Sequence, residues 1–320
     1  MNHEKSISLF QKLLMQVARH AGFSTFNGLY NGKMGTAILL YNGSRSLELP
    51  ELNRVSDSLI DDILEDVLQS GYGFREDLCG IAWGFHYLML NGFIELENNF
   101  FDDLDDLLFE SNASVLKNDL FEYPFTGLYI HTRLTNSPCN PLFEKQALSY
   151  CRYMLTQQDL YNKIPQQLIP FLYCILQWRY EEFFQGDIIA EVCLKLSYLK
   201  ELPVKNYQLS VLSQLYSNIC GNGYTFPLEK LTFSDINTLF FYKLIYQNLL
   251  LPSWSVINNS FEPILSDNTL AEELLLLCNH RNQGLTQHIS GFTWSMFQYL
   301  DHWLPQIKKT IDSHAQISPL

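Results

Sequence analysis

The chain has 320 residues, of which 47% are hydrophobic and 14% aromatic, so it can bury a large continuous core as one domain or as two close-packed halves. Its 21 basic and 34 acidic residues give a formal net charge of −13, which repels phosphate backbones and anionic membrane surfaces. We therefore expect no nucleic-acid partner and no membrane partner, whereas a neutral or cationic peptide is compatible with this charge.

Apolar residues recur at helical spacing almost throughout the chain, beginning with Leu9, Leu13 and Val17. Convincing runs in which apolar and polar residues alternate, the pattern of a β-strand, do not occur between turn residues, so the predicted fold class is all-α. Short Asn, Gly and Pro breaks separate the helices, which predicts antiparallel hairpins within a single domain spanning residues 1–320. In chain order, helices are expected near residues 5–20, 34–42, 57–69, 80–91, 101–110, 126–135, 142–157, 165–180, 186–199, 207–219, 234–249, 268–279 and 290–313.

Two of these predicted helices carry a row of acidic residues beside an apolar stripe. The acidic residues are Asp57, Asp61, Asp62, Glu65 and Asp66 in the first, and Asp102, Asp103, Asp105, Asp106 and Glu110 in the second. Such a pattern is typical of a solvated outer face over a buried inner face. No loop with the spacing of oxygen ligands accompanies either row, so we expect solvated faces rather than a cation site.

Glycines recur in one frame before apolar helices. The first copy, residues 28–35, has the spacing Gly-x3-Gly-x2-Gly, and copies at 73–80 and 284–291 keep the first and last glycines. A weaker copy at 123–127 keeps the last glycine alone, and Pro170 stands in that place in a still weaker one. The glycines of these copies are Gly28, Gly32, Gly35, Gly73, Gly80, Gly127, Gly284 and Gly291.

Glycine suits a loop that turns sharply into a buried helix, because the turn needs a positive φ and close helix contact leaves no room for a Cβ. Repetition of this device predicts stacked helical hairpins that share one core. The pattern resembles the lanthionine synthetase C-like family, most specifically at residues 28–41, 71–94 and 284–300. The resemblance implies an α/α toroid of about seven helical hairpins, with glycine-rich bulges at the starts of the inner helices.

The zinc site of that family is not found in this sequence. In the family's cyclases, two cysteines and a histidine bind a zinc ion that activates a peptide thiolate for addition to a dehydrated Ser or Thr. The chain has no Cys-His-Gly sequence, and residues 233–240, where the first ligand is implied, contain no cysteine. The nearest substitute is Cys278 with His280, which still lacks a third ligand. We therefore expect no zinc cofactor.

The resemblance also implies an aspartate and a histidine near the mouth of the toroid as acid and base. Asp119 resembles the aspartate one residue out of register, and Gln166 and Gln167 stand where the histidine and its following glycine are implied. Asp77 and His288 replace the middle glycine of their repeats, where each either lines a pocket or makes a local hydrogen bond. Asp77, Asp119 and His288 are thus the catalytic candidates.

Seven cysteines are spread along the chain without a CxxC pair. Apart from Cys278, they are predicted to be core thiols, which behave as small hydrophobic residues. These six are Cys79, Cys139, Cys151, Cys174, Cys193 and Cys220. The sequence contains neither a signal-peptide pattern nor an apolar run of membrane-spanning length, so a soluble, cytoplasmic protein is expected.

The chain keeps the glycine bulges of the family but lacks its zinc ligands. This combination predicts a lanthionine synthetase C-like protein of a pathway that makes ribosomal natural products. Its expected role is to bind a peptide, or to act as a scaffold for a modifying enzyme. One alternative is an active enzyme, either a cyclase with rearranged ligands or a carbohydrate-active toroid whose carboxylates, among them Glu76, converge at the mouth. Another is a purely structural toroid with a large exposed apolar patch.

Overall fold

A computed structural model of the chain describes residues 3–24, 26–30, 32–69, 78–97, 99–111, 123–136, 141–158, 161, 168–197 and 207–220. These residues form helices and connecting turns without a strand, which confirms the all-α class. No helix in these ranges is long and apolar enough to cross a membrane. The helices expected at 234–249, 268–279 and 290–313 lie outside the described residues.

The chain divides into two compact units, one of residues 1–74 and 232–320 and the other of residues 75–231. The described part of the first unit contains α1 (His3–Ala21), α2 (Lys33–Leu47) and α3 (Pro50–Gln69). Each of these helices packs against the other two. Helix α2 is buried on nearly every side, whereas α1 and α3 each expose a polar side, so α2 forms the centre of this group.

Helix α2 continues beyond its predicted end at residue 42. Gly43 lies inside the helix, where a Cβ would stand 2.9 Å from a methyl carbon of Leu14 and 3.4 Å from one of Leu52. Glycine within a helix costs about 1 kcal/mol relative to alanine, and here it lets α1 and α3 approach α2 closely. The helix ends at Glu48, whose φ is 58°, and Pro50 begins α3 seven residues before its predicted start because proline suits the first helical position.

The second unit contains seven α-helices within the described residues. These are α4 (Leu78–Leu90), α5 (Phe100–Asp105), α6 (Tyr123–Asn136), α7 (Pro141–Thr156), α8 (Ile169–Trp178), α9 (Gly186–Lys195) and α10 (Tyr207–Cys220), with a π-helical turn (Asp106–Ser111) directly after α5. Most of these positions agree with the predicted helices to within three residues at each end, because the apolar spacing marks the buried side of every helix.

Alternate helices of the second unit lie side by side. Helices α4, α6, α8 and α10 pack in succession, each on the next, while α7 packs against α6 and α8, and α9 against α7 and α10. Burial follows the same alternation, since α4 and α8 are buried almost all round and α7 and α9 each expose one side. The described part of this unit is therefore an inner row of helices with an outer layer of helices between them.

Candidate functional site

The sequence-predicted catalytic and metal-binding residues lie outside the described residues. They are Asp77, Asp119 and His288 for catalysis, and Cys278 and His280 for a metal, and the same holds for Gly73, Gly284 and Gly291. Within the described ranges, no group of three or more His, Cys, Asp or Glu side chains is arranged to hold a metal ion. Among the described residues, the candidate sites are therefore the glycine turn before α2 and the polar clusters beside the helices.

The glycine turn comprises residues 26–30, 32 and 33, between α1 and α2. The backbone N–H of Lys33 donates to the carbonyl of Phe26 at 2.9 Å, which closes the turn on itself. The backbone nitrogen and oxygen of Gly28 then lie so close to Gly32 that a Cβ there would overlap both. Gly32 has a φ of −133°, which other residues adopt readily. Close approach, rather than a positive φ, is why glycine is needed at this position.

A polar cluster ties the glycine turn to α3. The ammonium of Lys33 lies 3.1 Å from a carboxylate oxygen of Asp62 and 4.0 Å from one of Asp66. The side-chain amide of Asn27 donates to the same oxygen of Asp66 at 2.8 Å. Lys33 is buried and the two aspartates are half-exposed, so the charge of the lysine is compensated where it leaves water.

The sequence predicted that the acidic row of α3 is a solvated face, but several of its carboxylates also make contacts within the fold. Asp62 and Asp66 hold the glycine turn, and Asp57 accepts a hydrogen bond from the hydroxyl of Tyr41 at 2.5 Å. Burial, followed by the effect of Asp57, raises the pKa of Tyr41 well above its usual value. The carboxylates on this side of α3 thus position α2 and its preceding turn, and Lys33 supplies the positive charge beside them.

Glycines also lie near the starts of inner helices in the second unit. Gly80 is the third residue of α4, as Gly35 is of α2, and both are buried. Gly127, in α6, faces the ring of Tyr150, where a Cβ would stand 2.5 Å from Cε1. The residues just before Gly80 and Gly127 are Cys79 and Thr126.

The side chains of Cys79 and Thr126 meet, with Sγ and Oγ1 3.3 Å apart. The N-terminal turns of α4 and α6 therefore touch at equivalent positions of the glycine frame. The repeat as a whole stays a prediction, because three of its glycines lie outside the described residues.

A buried ion pair joins α5 to α6. The guanidinium of Arg133 donates to one carboxylate oxygen of Asp105 from Nε at 3.0 Å and from Nη2 at 2.7 Å. The hydroxyl of Tyr129 donates to the other oxygen at 2.8 Å. Burial raises the pKa of Asp105, while these donors act in the opposite direction. Asp105 is thus a buried structural carboxylate, and its predicted place on a solvated face is wrong.

His86 lies beside this ion pair. Its ring is buried against Phe101, with centroids 5.3 Å apart, and neither imidazole nitrogen makes a hydrogen bond of good geometry. Burial first, and then the positive charge of Arg133, lower the pKa of His86, although Asn136 has a smaller effect in the opposite direction. A neutral imidazole beside a carboxylate already engaged by a guanidinium is suited to packing rather than to moving protons.

A second histidine, His131 of α6, bonds to α8. The indole N–H of Trp178 donates to Nδ1 of His131 at 3.2 Å, and the ring of Tyr173 lies edge-on with centroids 5.8 Å apart. Burial lowers the pKa of His131 to about 4. Because Nδ1 accepts this bond, His131 must be neutral, with any ring proton on Nε2. This pairing could not be predicted from local spacing, because the two residues are 47 positions apart.

Two cysteines predicted to be core thiols form a disulfide instead. Cys193 at the end of α9 is bonded to Cys220 at the end of α10, with Cα atoms 6.3 Å apart. Both residues are half-buried, at the margin of the core rather than inside it. The prediction is wrong for this pair because spacing along the chain does not reveal which helix ends meet. It is confirmed for three buried thiols, Cys79, Cys151 and Cys174.

Comparison with known proteins finds no match for this chain, whether among protein-family models, curated proteins or solved structures. Its function must therefore be argued from its own residues.

Proposed function

We propose that this chain is a cytoplasmic lanthionine synthetase C-like protein that binds a peptide in a peptide-modification pathway without the zinc chemistry of the family's cyclases. It acts as a peptide-binding component or as a scaffold for the modifying enzyme. Its helices form an α/α toroid of about seven hairpins.

The observation that best supports the proposal is the packing of Gly32. A glycine whose replacement would bring a Cβ into overlap with backbone atoms stands directly before a helix buried on nearly every side, which is what a bulge into an inner helix requires. Gly35 and Gly80 take the same place in α2 and α4. The alternation of inner and outer helices in the second unit is also what stacked helical hairpins produce.

The lost ligands support a role without zinc. The sequence has no Cys-His-Gly, the thiols of Cys151 and Cys174 are buried with raised pKa values, and Cys193 and Cys220 are bonded to each other. A cysteine binds zinc as the thiolate, and burial in apolar surroundings disfavours that form. The nearest substitute that the sequence offers for the lost ligands is Cys278 with His280.

Metal analysis of the purified protein, prepared without chelators and exposed to zinc, tests this proposal. We expect far less than one zinc per chain after gel filtration. One zinc per chain, lost in Cys278→Ala and kept in Cys139→Ala, would instead make the protein a metal-dependent cyclase with rearranged ligands.

A further inference from the structure

Two exposed phenylalanines flank the start of the glycine turn. The side chain of Phe23 is 71% exposed and that of Phe26 is 42% exposed. A single exposed apolar side chain is ordinary on a protein surface. Two aromatic rings three positions apart, in one short connection, present a larger apolar surface to solvent.

Hydrogen bonds hold both phenylalanines in place. The backbone N–H of Phe23 donates to the carbonyl of His20 at 3.1 Å. The carbonyl of Phe26 accepts from the hydroxyl of Ser24 at 3.1 Å and from the backbone N–H of Lys33 at 2.9 Å. The backbone is thus hydrogen-bonded at both phenylalanines before any partner arrives, which lowers the entropy cost of binding.

Carboxylates of α3 contact the turn that contains Phe26. Asn27, which follows Phe26, bonds to Asp66, and Asp62 lies one turn earlier on α3. The side chains of Asp62 and Asp66 are 46% and 51% exposed, so both carboxylates still face solvent although they contact the turn.

The surrounding charges leave this area acidic. Asp61 and Glu65 are exposed on the same helix. Among the described residues, the turn itself contributes one buried cation, Lys33, against the four carboxylates of this part of α3, which are those of Asp61, Asp62, Glu65 and Asp66. A partner with a positive charge is therefore attracted to this surface and a negative one is repelled.

A second observation, at the contact between the glycine turn and α3, indicates that the ligand supplies a hydrogen-bond donor. The side-chain oxygen of Asn27 is buried and accepts no hydrogen bond, while its nitrogen is engaged by Asp66. A buried acceptor that receives no hydrogen bond destabilises the folded chain. An N–H donor brought to this junction would recover part of that free energy, and peptides and basic side chains supply such donors.

We propose that Phe23 and Phe26, together with the α3 carboxylates Asp62 and Asp66, form a docking surface for an apolar and basic peptide segment. A large apolar side chain of the peptide packs on the two phenylalanine rings, and flanking Lys or Arg residues face the carboxylates. This inference rests on the proposed peptide-binding function, and it specifies where the peptide binds and which chemistry is recognised.

Fluorescence anisotropy with three labelled synthetic peptides tests the surface on the full chain. The probe peptide alternates Leu or Phe with Lys, one comparison peptide replaces each Lys with Glu, and another replaces each apolar residue with Ser. We expect the wild-type protein to bind the probe peptide, to bind each comparison peptide at least about tenfold more weakly, and to lose affinity for the probe as salt is raised.

Variants locate the binding surface. The double variant Phe23→Ser/Phe26→Ser is expected to weaken binding of the probe about tenfold or more. Asp61→Asn/Glu65→Gln lowers the charge without removing either partner of Lys33, and it is expected to weaken binding at low salt. Tyr180→Ser is the matched control, because Tyr180 is 81% exposed in the other unit, and it should bind as the wild type does.

The outcomes separate the two proposals. Failure of the wild type to bind any of the three peptides would overturn the peptide-binding function itself. Binding that is unchanged in Phe23→Ser/Phe26→Ser, with the same urea midpoint as the wild type, would overturn this surface and leave peptide binding intact. Equal affinity for the Lys and Glu peptides would overturn the role of the carboxylates.

Discussion

Replacing Gly32 with alanine tests the packing of the glycine turn. The added Cβ meets the backbone of Gly28 rather than a flexible side chain, and inserting one carbon into a packed site costs about 1–3 kcal/mol. If the turn opens to admit it, the hydrogen bond from Lys33 to Phe26 is also lost, at about 1 kcal/mol. A smaller chain entropy in the unfolded state returns about 0.4–1 kcal/mol, so we expect a net loss of about 1–4 kcal/mol.

Urea denaturation followed by far-ultraviolet circular dichroism measures this loss. Gly22→Ala in the same unit and Gly186→Ala in the other are matched controls, because a Cβ at either position meets nothing within 4 Å. Both should leave the free energy of unfolding unchanged or raise it by up to about 1 kcal/mol, because only the entropy of the unfolded chain changes. If Gly32→Ala is as mild as Gly22→Ala, close approach does not explain the glycine.

Three further predictions concern the second unit. Burial lowers the pKa of His131 from 6.5 to about 4, so the free energy of unfolding should fall by up to about 3 kcal/mol between these pH values as pH drops, because the unfolded chain binds more protons. His131→Gln should flatten this part of the pH profile of urea midpoints. Arg133→Met leaves its buried carboxylate partner unpaired and should cost about 3–5 kcal/mol, whereas Glu191→Gln, in an exposed pair, should cost less than about 0.5 kcal/mol in the same assay. Cys193 and Cys220 should resist alkylation in denaturant until a reductant is added, as peptide mass mapping would detect, and complete alkylation without reductant would contradict the disulfide.

The helices could be predicted from the sequence because burial acts on local spacing. Apolar residues at helical intervals mark α9 and α10 at the same first residues as the structure, Gly186 and Tyr207. Helix ends were less predictable where distant contacts decide them. Helix α2 passes through Gly43 because Leu14 and Leu52 pack against that position, and a window along the chain does not contain this information.

The polar clusters could not be predicted for a related reason. The row containing Asp102 and Asp105 looks uniform in sequence, yet Arg133, 28 residues beyond Asp105, selects the latter as its buried partner. The glycine turn could be predicted in part. The sequence indicated that Gly32 precedes a buried helix, but only the path of the backbone shows that Gly28 leaves no room for a Cβ.

Peptide binding without cyclisation is tested most directly by following the thiol of a bound substrate. A synthetic peptide with one cysteine and one dehydroalanine, set between Leu and Lys residues, would be incubated with the protein and zinc. The remaining thiol would then be labelled with a maleimide and weighed by mass spectrometry, since ring closure itself leaves the mass unchanged. We predict that the protein binds the peptide and that the peptide thiol is lost no faster than it is without the protein. If the peptide thiol is consumed when the protein is present and is not consumed when the protein is omitted, the chain is an active cyclase.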